Sequence, residues 1–177
     1  MTTRHHFHPV IRVLHWLMAA LILAMLFIGV AMVSTAGPAY HSLIGLHRPI
    51  GIALLVLVSI RLAVRLKTGA PALPADLPPL MVAGAKASHV LLYLSIIVMP
   101  LIGWGMLSAA GYPVVLVKGI VLPPILPHDI ALYAVLRVAH TVIAVLFFAL
   151  ILGHLAAGLF HALVRRDGVF EAIWRNR

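Results

Sequence analysis

The sequence predicts an all-α integral membrane protein folded as an antiparallel four-helix transmembrane bundle. Of its 177 residues, 63% are hydrophobic and only 10% are charged, whereas a soluble domain is about 45–50% apolar and about 25% charged. The chain also contains four long apolar stretches without the alternation typical of a barrel strand. Because backbone groups in lipid must be satisfied internally, such stretches are expected to be helices.

Each of the four stretches meets the length of about 20 apolar residues that a membrane-spanning helix needs. Joined by short connections, they predict a single domain over residues 1–177, whose bundle core is a usual place for a cofactor. The connection at 67–80 is rich in proline and should be extended, whereas the one at 111–129 is apolar and should fold onto the bundle or lie in the interface. The predicted spans are residues 10–33, 42–66, 85–109 and 131–164.

The cations predict that both termini lie in the cytoplasm. The termini and the connection between spans two and three carry ten Lys and Arg residues by this count, against three in the other two connections. The net charge of +9 is therefore interpreted as cations flanking membrane spans and not as a nucleic-acid surface. The absence of cysteine excludes disulfides, thiolate metal sites and covalent haem attachment. The ten cations are Arg4, Arg12, Arg61, Arg65, Lys67, Lys86, Arg165, Arg166, Arg175 and Arg177.

Three histidines follow one face of the fourth span, where lipid alone offers no use for an imidazole. His140 and His154 are fourteen residues apart, which advances a helix by about 21 Å and leaves them about 40° from alignment. His161 lies about 10 Å further along the same face, near the cytoplasmic surface. The fourth span thus presents imidazoles at several membrane depths.

Two other spans carry histidines at matching depths. His15 lies early in the first span, which enters from the cytoplasm, and His47 lies early in the second, which enters from outside. Depth pairs His15 with His154 and His47 with His140, which predicts two bis-histidine sites for the iron of non-covalent b haems. Zinc is less favoured, since a structural zinc site needs four ligands drawn together.

His89 in the third span leaves the ligand set open, because it lies at the depth of the cytoplasmic site. It could replace His15 as a ligand, bond a haem propionate, or handle protons. Gly51, Gly153 and Gly158 either give the flat macrocycle room or allow close helix packing. Histidines with a purely structural role are the alternative to all of these assignments.

Four segments together resemble the prokaryotic cytochrome b561 family. "LHW" at 14–16 opens the first span, "LHRPIG" at 46–51 opens the second, "SHVLLYLSIIVMPLIGW" fills 88–104, and His140 and His154 follow at a spacing of fourteen. The resemblance covers roughly residues 8–174. It implies a four-helix cytochrome of the bacterial inner membrane with two b haems, one on His15 and His154 and the other on His47 and His140.

A branch of this family oxidises superoxide on the outer side and reduces ubiquinone, and the resemblance implies the same activity here. Arg48 adjoins His47, Arg137 precedes His140 by three residues, and Lys118 lies in the outer connection. These cations could draw superoxide toward the outer haem, or they could pair with lipid headgroups or propionates.

At the cytoplasmic end, His161 and His89 are the candidates for a quinone or proton site. The family's proline-rich loop can carry a lysine, but the matching stretch here, "LPADLPP" at 73–79, has none.

Other functions stay open at this stage. The chain has no nucleotide-binding fingerprint, which favours electron transfer over group chemistry. It could also be the di-haem subunit of a respiratory dehydrogenase or hydrogenase complex, a metal transporter with histidines along its path, or an assembly factor.

Overall fold

The computed structural model describes residues 6–117 and 119–174 and confirms an all-α membrane bundle. Each of its four long helices is long and apolar enough to cross a membrane. They enclose the four predicted spans, except that the last helix changes to a π-helical turn after Phe160. The helices are α1 (Pro9–Ser34), α2 (Pro38–Thr68), α3 (Pro79–Ala109) and α4 (Ile130–Phe160).

Proline starts three of the four helices. Pro9, Pro38 and Pro79 each occupy a first-turn position, where the missing N–H costs nothing and the fixed φ suits a helix. Helices α2 and α3 therefore begin earlier than the hydropathy predicted, at 38 and 79 instead of 42 and 85. At the start of α4, the carboxylate of Asp129 accepts a hydrogen bond from the backbone N–H of Leu132 at 3.0 Å and caps the helix.

Helix α2 corrects the assignment of two cations to a connection. Since α2 continues to Thr68, Arg61 and Arg65 lie on the helix itself. Gly69, at φ 72°, ends the helix by donating its N–H to the carbonyl of Arg65 at 2.9 Å. The cation count assigned both arginines to the connection between spans two and three and was wrong on this point, although the predicted span 42–66 already contains them.

Both termini lie at the same end of the bundle. The N–H of Phe7 donates to the carbonyl of Ala172 at 3.1 Å, which joins the start of α1 to a short C-terminal helix, α5 (Glu171–Trp174). We call this end, with the proline-rich connection 69–78, the terminal end. The opposite end, which carries the connection from α3 to α4, is the hairpin end.

A β-hairpin, not foreseen from the sequence, occupies the connection from α3 to α4. Strands β1 (Val114–Val117) and β2 (Ile120–Leu122) pair antiparallel. The Trp104 indole donates to the carbonyl of Pro123 at 2.9 Å, and the Ser108 hydroxyl accepts from the N–H of Ile125 at 3.1 Å. These two bonds hold the segment after the hairpin against α3, so the apolar connection folds onto the bundle.

The apolar core lies midway between the two ends. Met18 of α1, Leu54 and Val58 of α2, Ile96 of α3 and Phe147 of α4 form one buried cluster. Phe147 is seven residues from both His140 and His154, about 10 Å along the helix from each. The core therefore separates the two predicted histidine sites.

Replacing Phe147 by alanine should destabilise the bundle, because the side chain is only 9% exposed within the core. We expect a loss of about 3 kcal/mol in the free energy of unfolding, measured in detergent. Phe148→Ala is the matched control, since its neighbouring ring is 46% exposed on the outer surface. Equal losses in the two variants would contradict the position of the core.

Candidate functional site

A first histidine pair joins α1 to α4 near the terminal end. The ring centres of His15 and His154 are 6.2 Å apart, with the rings inclined at 78°. His89 of α3 also approaches this pair, with its ring centre 5.6 Å from that of His154. The structure thus brings together the predicted pair and the predicted alternative ligand.

A second pair joins α2 to α4 near the hairpin end. The ring centres of His47 and His140 are likewise 6.2 Å apart, with the rings inclined at 63°. The Nδ1 atoms of both rings are buried and have no hydrogen-bond partner among the described residues. A polar nitrogen left unsatisfied in an apolar span is costly, so this pair has bonding capacity for a ligand from outside the chain.

The spacing of both pairs suits a metal held between two imidazoles. Metal–nitrogen bonds of about 2 Å on each side, plus the distance from nitrogen to ring centre, separate two ring centres by about 6 Å. Among residues 6–117 and 119–174, no group of three or more His, Cys, Asp or Glu side chains could hold a metal ion. A metal between these rings would therefore take its other ligands from outside the described residues, and two facing imidazoles fit a b haem.

The helix packing leaves room between the helices that carry each pair. Close backbone packing in the described chain joins α1 to α2, α2 to α3 and α3 to α4, but not α4 to α1 or α2. Gly103 of α3 provides further room, since a Cβ there would lie 3.4 Å from Cε1 of His140. A Cβ at Gly153 would meet nothing within 4 Å, so that face of α4 is open.

The family of the chain follows from comparison with known sequences. The sequence profile described as prokaryotic cytochrome b561 matches residues 6–176. The chain belongs to the prokaryotic cytochrome b561 family. It is thus a membrane electron-transfer protein of a family that typically binds haem b. It is also 29% identical over 122 residues, 69% of each chain, to a Yersinia pestis protein named probable superoxide oxidase CybB.

The cations predicted to attract superoxide differ in their surroundings. Arg137 is exposed and donates to the Tyr133 hydroxyl at 3.2 Å. Arg48 is half-buried, and its Nε is buried with no partner among the described residues. Lys118 lies outside the described residues. Arg48 is next to His47, and Arg137 is one helical turn from His140, so both lie near the second pair.

His161, the predicted quinone or proton residue, lies in a polar network at the terminal end. It begins a π-helical turn, His161–Arg165, that follows α4. Its Nδ1 is 2.7 Å from Oδ2 of Asp167, and Arg165 donates to the same oxygen at 2.8 Å. An ionised carboxylate only accepts, so Nδ1 of His161 carries the proton and its Nε2 is left to accept one.

The network reaches the proline-rich connection through Arg165. This guanidinium also donates to Oδ2 of Asp76 at 2.7 Å, in the stretch where the family can carry a lysine. Burial alone would raise the pKa of Asp167, but hydrogen bonds from His161, Arg165 and the Val169 N–H outweigh it and lower that pKa. Asp167 is therefore ionised at neutral pH and orients the imidazole.

The C-terminal segment covers the start of α1 beside this network. The Trp16 indole donates to the carbonyl of Ile173 at 3.3 Å, and the rings of Trp16 and Trp174 meet edge to face at 5.1 Å. Since Trp16 follows His15 directly, with its ring centre 5.2 Å away, this contact supports α1 where it carries the first pair.

Gly103, Arg61 and the acidic residues of the network were not among the predicted site residues. The spacing of Gly103, fourteen residues after His89, places it on the same face of α3 and was the available signal. Asp76 and Asp167 are two of only four acidic residues in the chain. Their rarity could have marked them as candidates from the sequence.

Replacing Asp167 by asparagine should lower stability by about 1 kcal/mol at pH 6. The native pKa of Asp167 is depressed, so its contribution is complete above the unfolded value of about 4 and is lost as pH falls through the native value. The Tm difference between the parent protein and Asp167→Asn should therefore shrink below about pH 4.

Glu171→Gln is the control, because the Glu171 side chain is exposed and forms none of the ion pairs in the described part of the chain. A Tm difference for Asp167→Asn that stayed constant down to pH 2, about two units below the unfolded value, would contradict the role given to this carboxylate.

Proposed function

We propose that this cytochrome is a superoxide:ubiquinone oxidoreductase of the bacterial inner membrane, with two bis-histidine b haems and both termini in the cytoplasm. The observation that carries the proposal is the pair of matching contacts at opposite ends of one bundle, His15–His154 and His47–His140, each with ring centres 6.2 Å apart. Family membership supports the haems, and the Yersinia pestis relative supports the substrate.

The histidines would hold the haem iron, and each haem when bound would supply a one-electron centre. His15 and His154 would hold the cytoplasmic haem, and His47 and His140 the periplasmic haem. His89, close to His154 but exposed, is assigned to the quinone or proton site and not to the iron. Helix α4 would then contribute one ligand to each haem.

The charge distribution supports the orientation. The terminal end carries Arg12, Lys67, Lys86, Arg165 and Arg166, whereas Arg48 and Arg137 are the cations of the described chain near the hairpin end. An excess of Lys and Arg marks the cytoplasmic side of a membrane protein. The pair His47–His140 would accordingly face the periplasm.

At the periplasmic end, Arg48 and Arg137 would attract superoxide to the site formed by His47 and His140. Superoxide is a small anion, so a nearby cation raises its local concentration and its rate of encounter. Two superoxide anions each give up one electron and leave as dioxygen. These two electrons, together with two protons taken from the cytoplasm, would convert one ubiquinone to ubiquinol, which balances the reaction.

At the cytoplasmic end, His161 would deliver protons to the quinone. Its Nδ1 is held by Asp167, so its Nε2 can take a proton from water and pass it on. The Asp76–Arg165 contact would keep the proline-rich connection beside this route.

The full-length protein is expected to bind two haems with a bis-imidazole b-type spectrum. His140→Ala and His154→Ala should each remove one haem of the two, because each removes a ligand from a different pair. Haem quantification and reduced-minus-oxidised spectra measure this. His41→Ala, an exposed histidine of α2, is the control and should keep both haems. A colourless parent protein from haem-replete cells would refute the proposal.

Arg137→Gln should slow reduction of the protein by superoxide about threefold at low ionic strength, because one attractive charge is lost. The difference should vanish near 0.5 M salt, where the Debye length is only a few ångströms. Pulsed generation of superoxide with optical detection gives the rate constant. Arg166→Gln, at the other end of the bundle, is the control. Equal rates at low salt would remove Arg137 from this role.

A further inference from the structure

Helix α2 carries an arginine inside its membrane-spanning part. Arg61 is seven residues before Thr68, where α2 ends, so it lies about 10 Å inside the terminal end of the helix. Its side chain is half-buried, and its Nε is buried with no hydrogen-bond partner among the described residues. A charge in this position is costly, and in membrane proteins it normally has a partner and a function.

The chain itself offers no carboxylate to Arg61. Its four acidic residues are Asp76, Asp129, Asp167 and Glu171, and α1 to α4 contain none of them. The described contact of the guanidinium is with the ring of Tyr93, 5.4 Å from its centre. A ring face attracts the cation, but it does not accept a hydrogen bond from the buried Nε. No ion pair of the described residues includes Arg61, so an anionic partner would come from outside them.

The position of Arg61 on α2 places it at the depth of the first histidine pair. Arg61 is fourteen residues after His47 on α2, the same spacing that places His140 and His154 on one face of α4. Arg61 thus shares the face of α2 that carries His47, at the depth of the other pair. Its charge interacts with the rings of His15, His89 and His154.

We propose that the guanidinium of Arg61 binds a propionate carboxylate of the haem held by His15 and His154. This inference rests on the proposed function. A planar guanidinium can donate two parallel hydrogen bonds to one carboxylate, and such charge-assisted bonds are stronger than neutral ones. The bond would satisfy the buried Nε, neutralise the charge inside the span and fix the rotation of the porphyrin about the axis between its ligands.

A lipid phosphate would present similar charge, but the position favours the cofactor. Arg61 lies about 10 Å inside the helix end, whereas Lys67, exposed in the last turn of α2, is placed to meet headgroups. Arg65 lies between them, with its guanidinium 4.9 Å from the centre of the Phe7 ring.

The test compares two porphyrins that differ only in this charge. The full-length His140→Ala protein, which should keep only the terminal-end haem, is loaded in nanodiscs with iron protoporphyrin IX or with its dimethyl ester. Transfer of porphyrin to excess apomyoglobin measures the rate of loss. Adding Arg61→Gln should speed loss of the free-acid porphyrin about tenfold or more and leave loss of the ester unchanged.

Two matched variants complete the design. Lys67→Gln removes a cation from the same helix and should change neither rate. Arg61→Lys keeps the charge without the planar donor pair and should give an intermediate rate for the free acid, which keeps the test valid if Arg61→Gln folds poorly. The measurements are repeated in nanodiscs with and without phosphatidylglycerol.

The outcomes separate this inference from the proposed function. If Arg61→Gln speeds loss of both porphyrins equally, or speeds loss of neither, Arg61 does not bind the carboxylate. An effect that depends on phosphatidylglycerol and not on the ester assigns Arg61 to lipid and likewise overturns the inference. If the His140→Ala protein binds no porphyrin with a bis-imidazole spectrum, the proposed function itself fails.

Discussion

The bundle depends on the periodicity of α4, the one helix that contributes an imidazole to both pairs. His140 and His154 face α2 and α1 respectively only because fourteen residues complete nearly four turns of a straight α-helix. A single inserted residue between them would rotate one ring by about 100° away from its partner. Phe147, halfway between them and buried in the core, ties this stretch to the other three helices. The core thus sets the register in which the two pairs face their partners.

The terminal end uses a different kind of interaction to position His161. One oxygen of Asp167 accepts from both the imidazole and Arg165, and Arg165 continues to the exposed carboxylate of Asp76. An exposed ion pair adds little to stability, so the value of this chain of contacts lies in geometry. It joins the end of α4, the proline-rich connection and the segment before α5. Any ligand near His161 would therefore experience a preorganised surface.

Sequence alone predicts the helices and the two histidine pairs, because both follow from helical periodicity and membrane depth. It fails where a property depends on where a helix ends. Arg61 lies within the predicted span 42–66 but was counted with the connection that follows it, whereas α2 continues to Thr68. The hairpin at Val114–Leu122 is too short to show an alternating pattern, and its position depends on bonds from Trp104 and Ser108. The contact of Asp167 with His161 needs the turn at Arg166, with φ 53°, which no periodicity predicts.

The helix packing also bears on how the protein folds. Within the described chain, the backbones of α1, α2, α3 and α4 pack closely in sequence order, while α4 meets α1 and α2 through the side chains of the central core. Imidazoles lie on either side of that core, and in the second pair both Nδ1 atoms lack a partner among the described residues. Apolar packing around Phe147 therefore accounts for only part of the bundle, since on either side of this core α4 meets the first two helices through the imidazole rings. On the proposed function, haem would lie between these rings, so its binding free energy would add to the stability of the fold. Folding and cofactor insertion would then be one linked equilibrium, because each haem would join α4 to another helix on one side of the central core.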